Sequence, residues 1–203
     1  MKSTFFPALL LLIGSGFGFA SIDRDRAAAS LTATPAIAAE VPGKEENMEL
    51  IPWSVRRVVG WEDFQGPVLM GTEAVASTNT SLGLSYQLRG GKLSYEITCT
   101  FSKTKSWGML KNDYILAHEQ GHFDITELCA RYLYKALSEY TYNRGTYKQD
   151  ITRIYNEIVA KKEALQEQYD GETDHSRKRK LQKEWEERIE SMLEETAPYA
   201  QYP

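Results

Sequence analysis

Near Trp107 the spacing of apolar residues changes from two to about 3.6, and that change constrains the fold more than any other feature of the chain. Upstream, Leu82, Leu84, Tyr86 and Leu88 alternate with small or polar residues, and Leu93, Tyr95, Ile97, Cys99 and Phe101 alternate again after Gly90-Gly91. Period-two runs flanking two glycines predict a hairpin with a primed turn, because glycine accepts positive φ at little cost. A strand over Ile51–Val59 and a loop over Trp61–Gly66 precede it. Downstream, the helical period predicts a long helix over Tyr114–Tyr140 capped by Asn112 or Asp113. A second helix is expected over Tyr147–Gln168 with Ile151, Ile154, Ile158 and Leu165 on one stripe, then a loop around Gly171. A last helix covers Ser176–Glu195, with Leu181, Trp185, Ile189 and Met192 inward. Strands first and three helices after is an α+β arrangement, with an N-terminal antiparallel sheet.

The start of the chain stands apart. Lys2 followed by an apolar run from Phe5 to Phe19 reads as a signal peptide over 1–20, with cleavage as late as residue 38 as an alternative. The run is short for a bilayer span, so no stable membrane insertion is expected after cleavage. Residues 21–49, rich in Ala, Thr, Pro and charge, read as a disordered linker, leaving 50–203 as the folded domain. A net charge of −4 gives no basic excess for nucleic acid. The expected location is secreted or periplasmic.

His118-Glu119-Gln120-Gly121-His122 falls early in the first long helix. Four residues advance a helix by about 400°, so both imidazoles point the same way, one turn apart. Both can then ligate one zinc ion, while Glu119 is rotated beside the ion to act as general base on an attacking water. The expected function is a secreted zinc-dependent metallopeptidase holding one Zn²⁺ per chain and hydrolysing protein or peptide substrates. Two other readings are a non-catalytic zinc-stabilised binding module of the cell envelope and a zinc amidase on a non-protein amide. The sequence leaves oligomeric state open.

A helical wheel continues the metal face as a buried one, with His122, Cys129, Leu133 and Ala136 within about 60° of His118. It places Gln120, Asp124, Glu127, Arg131 and Lys135 on a solvated face opposite. A catalytic zinc needs a third protein donor. His175, the third histidine, is the expected one, oriented by Asp170 or Asp174; Glu157 on the second helix is the competitor. Ser106 and Trp107 line the cleft or pack beneath it, and Trp61 and Phe64 read as core. Tyr114 and Tyr169 are the tyrosines nearest in sequence for an oxyanion donor. Cys99 faces the core from the hairpin and Cys129 from the helix, and a disulfide between them is expected, contributing about 3–4 kcal/mol.

From Ile51 to Ile189 the chain resembles a bacterial family of uncharacterised exported proteins, usually described as predicted secreted zinc-dependent proteases. The likeness is carried by Trp61-Glu62-Asp63-Phe64-Gln65-Gly66, Lys105-Ser106-Trp107 and His118 through Ile125, with Glu127 and Arg131. It continues in Tyr169-Asp170, Thr173, His175, Gln182 and Trp185. The resemblance implies a zincin-like fold, peptidase activity, and His175 as the third ligand.

Overall fold

A computed structural model describes residues 49–72 and 74–203, which belong to one compact unit, Gly43–Pro203. The expected leader at 1–20, its later cut near 38, and all of the expected linker but Glu49 lie outside the described residues.

The architecture is α+β. Strands β1 (Leu50–Pro52), β2 (Ala76–Ser77), β3 (Thr80–Arg89), β4 (Lys92–Ser102) and β5 (Trp107–Gly108) come first. Helices α1 (Asp113–Glu139), α2 (Tyr147–Thr173) and α3 (Arg179–Glu195) follow. The first sheet has the order β1-β4-β3, and β2 pairs with β5 in a second, all antiparallel. Gly90 and Gly91 turn the hairpin at φ 57° and 79°, values only glycine adopts cheaply. The register sets Leu82 opposite Cys99 and Leu84 opposite Ile97, so one apolar face forms.

That face meets α1, where Phe101 packs on Phe64 and Phe123. On its other sides α1 packs against α2 and α3, with Ile125, Leu128, Tyr169, Trp185, Ile189 and Leu193 in a second cluster. Asn112 caps α1 by accepting from the Ile115 amide. Covered by sheet and helices, α1 has no wet face along its middle, where every residue from Phe123 to Arg131 is buried.

This corrects the solvated face expected for Asp124, Glu127 and Arg131, all buried. The wheel gives direction but not neighbours, and here the neighbours arrive from distant segments. Trp53 Nε1 donates to Asp124 at 2.7 Å, and Arg57 pairs with the same carboxylate at 3.3 Å. The Gln120 amide donates to the Arg57 carbonyl and accepts from the Val59 amide, both at 3.0 Å. These contacts draw residues 53–59 onto α1, which is why the strand expected over Ile51–Val59 ends at Pro52.

Glu127 accepts from Arg131 Nε at 2.9 Å and from the Tyr202 hydroxyl at 2.7 Å, and Arg131 also donates to the Leu193 carbonyl at 2.7 Å. Burial pushes the Glu127 carboxyl up, and Tyr202 and Arg131 pull it back only part of the way. Breaking a buried pair from one side strands the other charge. Arg131→Met is therefore expected to destabilise the fold by about 3–5 kcal/mol, measured as a lower urea midpoint with unchanged slope. A loss under about 1 kcal/mol would place this pair in the weak class of surface ion pairs.

The expected bridge between Cys99 and Cys129 is not formed: both are free, buried thiols. Both pack in the same apolar cluster, Cys99 from β4 and Cys129 from α1. Burial and then Glu127 raise the Cys99 thiol, whereas burial pushes Cys129 up to about 12 against the nearby Lys161 and Lys162 of α2.

The loop expected from Tyr169 is also shorter. Gly171 sits inside α2 with open space where a Cβ would go, so nothing there ends the helix. The break comes at Asp174, His175 and Ser176, three successive left-handed residues at φ 53°, 50° and 68°. That delays the last helix from the expected Ser176 to Arg179. No described helix is long and apolar enough to cross a membrane.

Candidate metal centre

α1 and α2 pack side by side and bring three donors together. His118 and His122, one turn apart on α1, meet Asp170 from the last turns of α2. The Nε2 atoms of the histidines are 3.3 Å apart, and each is 3.1 Å from Asp170 Oδ1. Among the described residues, His118, His122 and Asp170 form the one group of His, Cys, Asp and Glu able to hold a metal ion. Tetrahedral donors at about 2.0–2.1 Å from zinc stand about 3.3 Å from one another, so the observed spacing fits such an ion.

The back sides of the rings are fixed too. His118 Nδ1 faces Gln182 Oε1 at 2.8 Å, and His122 Nδ1 bonds Gln166 Oε1. Each glutamine is itself held through its amide nitrogen. Gln182 donates to the Tyr169 hydroxyl at 3.0 Å and to Glu186 at 2.8 Å; Gln166 donates to the His122 carbonyl at 2.9 Å and to Thr126 at 3.3 Å. With amide oxygens as acceptors, both Nδ1 atoms carry a proton, and both Nε2 atoms face Asp170. Tyr169 stacks on His118 at 4.6 Å and donates to the His118 carbonyl at 3.2 Å. A Cβ on Gly121 would come 2.5 Å from the Tyr169 hydroxyl, so glycine between the histidines lets α2 approach this closely.

The electrostatics favour positive charge at this point. Burial alone would push His122 down, but the Asp170 carboxylate reverses this and raises it to about 9. Burial pushes Asp170 up, and bonds from His118 and His122 outweigh that and hold it well below the usual carboxylate range. Glu119 is 4% exposed, and its Oε2 is buried with no hydrogen-bond partner.

The structure thus joins His118 and His122 and sets Glu119 beside them. His175 lies outside the group: its side chain is 57% exposed, with Nδ1 3.6 Å from Asp170 Oδ1. Glu157 is exposed and paired with Arg153 at 3.0 Å, and it is not in the donor group. Asp174 caps α2 and pairs with Arg177 at 3.5 Å. Ser106 accepts from the Asn79 amide at 2.9 Å and is buried, as is Trp107; both pack. The hydroxyls of Tyr114 and Tyr169 are engaged by the carbonyls of Ser176 and His118.

Asp170 was expected only as a support for His175, and Gln166 was not singled out. One signal could have found both. Carrying the α2 period through Gly171 puts Gln166, Tyr169, Asp170 and Thr173 on a single stripe.

A family model described as bacterial protein of unknown function (DUF922) matches residues 61–176, more than half of the chain. No curated protein and no solved structure matches.

Proposed function

Since this chain belongs to the DUF922 family of bacterial proteins of unknown function, we propose from the site itself that it is an exported zinc-dependent metallopeptidase of zincin-like fold. The single observation that carries the reading is the buried, unpartnered Oε2 of Glu119 next to three convergent donors. A purely structural metal site has no use for such a group, and leaving a carboxylate oxygen buried and unbonded costs stability.

His118, His122 and Asp170 would hold the ion, with His175 facing Asp170 from the exposed rim. A zinc ion there would supply Lewis acidity toward a peptide carbonyl and lower the pKa of water to about 7. Glu119 then takes the proton of the attacking water at its free carboxylate oxygen and returns it to the departing amine. Gln166 and Gln182 keep both imidazoles turned to the ion. A closed, non-catalytic zinc site is favoured only if the His175 ring moves in as a fourth donor, since it stands near Asp170.

The purified full chain is expected to contain about one zinc and to cleave members of a peptide library. A chelator should abolish cleavage, and added zinc should restore it. Cleavage unaffected by metal removal, or zinc without cleavage of any peptide, rejects the proposal.

A further inference from the structure

We propose that Arg179 makes this site selective for peptides that carry a carboxylate close to the cleaved bond. The proposal rests on the peptidase reading and assigns it a substrate class.

The chain has a net charge of −4, yet Arg177, Lys178, Arg179 and Lys180 are consecutive. They open α3, which has no acidic residue in its first turn. Cations at a helix N-terminus oppose the helix dipole, so the dipole of α3 does not favour them there. Two of the four are accounted for: Arg177 pairs with Asp174 at 3.5 Å and Lys180 with Glu184 at 3.5 Å. Among the described residues no carboxylate pairs with Lys178 or Arg179. Elsewhere the exposed cations Lys135 and Arg153 do find a carboxylate one turn along.

Arg179 is nevertheless held in place. Its guanidinium lies over the Tyr114 ring at 4.5 Å, while its side chain stays exposed. Tyr114 is one turn before His118 on the same face of α1, about 6 Å along the axis. The Tyr114 hydroxyl bonds the Ser176 carbonyl, next to His175, whose ring stands 3.6 Å from Asp170. Tyr114, His175 and Arg179 therefore form one rim beside the donors. An arginine with its face stacked and its fork free is suited to a carboxylate, which it grips with two parallel bonds. Membrane surfaces instead recruit clusters of four to eight cations, and here two of the four are already paired. The residue also lies past the span 61–176 that the family model matches.

The test is binding of labelled peptides to the full-length Glu119→Gln chain loaded with zinc, read by fluorescence anisotropy. One peptide has an internal Glu and an amidated end, a second is neutral with a free C-terminus, a third is neutral and amidated. One or both carboxylate peptides should bind about tenfold tighter than the third, the worth of one charge-assisted pair. Which one does so identifies a side-chain or a terminal carboxylate. Adding Arg179→Gln should erase the difference, and Arg179→Lys should restore only part of it. Equal affinities overturn the proposal, as does a preference that survives Arg179→Gln. Arg179-dependent binding to phosphatidylglycerol vesicles without peptide discrimination also overturns it. If the discrimination holds but the wild type cuts none of these peptides, the inference stands as a binding specificity and the peptidase reading falls.

Discussion

Replacing Glu119 with Gln is expected to slow peptide hydrolysis by about 10²–10⁴-fold while the chain keeps its zinc. The substitution preserves shape and removes only the capacity to take a proton. Glu119 is not among the three donors, so metal content should not change. Stability should hold, because Oε2 is buried with no hydrogen-bond partner for the substitution to break. Initial rates, metal content by mass spectrometry and a urea curve, measured side by side, check all three. A variant that cleaves as fast as wild type would sink the assignment of the base. A variant that loses its metal would instead make Glu119 a ligand.

The second large effect is on the ion. Asp170→Ala takes away the oxygen that both imidazoles face, 3.1 Å from each Nε2. Removing groups that merely orient a ligand already costs about 10–100-fold in affinity, so losing this donor should weaken zinc binding by more than about 100-fold. His175→Ala should leave affinity within about tenfold, since that ring only approaches Asp170 from outside. Competition with a chromophoric chelator reads both. The reverse order, with His175→Ala losing the ion and Asp170→Ala keeping it, would return the third ligand to His175.

Local patterns carried some parts of this molecule and not others. The hairpin and the long helix were legible because their signals are short-range: two glycines between alternating runs, and an asparagine before a helical period. The observed α1, Asp113–Glu139, departs from the expected Tyr114–Tyr140 by one residue at each end. The paired histidines were legible for the same reason, since four residues of helix fix their common direction. Asp170, Gln166 and Gln182 were not, because their roles exist only once α2 and α3 have packed on α1. Gly171 misled in a physical way. It weakens a helix by up to about 1 kcal/mol, which an isolated segment feels, but the packing of Tyr169 and Thr173 overrides it. The buried charges on α1 failed similarly: Asp124 and Glu127 are covered by Trp53 and Tyr202, 71 and 75 residues away.

The turn that carries His175 has an implication for how this chain balances robustness against chemistry. Each left-handed residue other than glycine costs about 1–2 kcal/mol, and Asp174, His175 and Ser176 adopt that conformation in succession. Glycine at 175 would sit more comfortably than imidazole. The residue is thus kept at this spot against the preference of its own backbone, its amide bonded to the Asp170 carbonyl and the Ser176 carbonyl after it bonded by Tyr114. A sequence tuned only for durability would have discarded it.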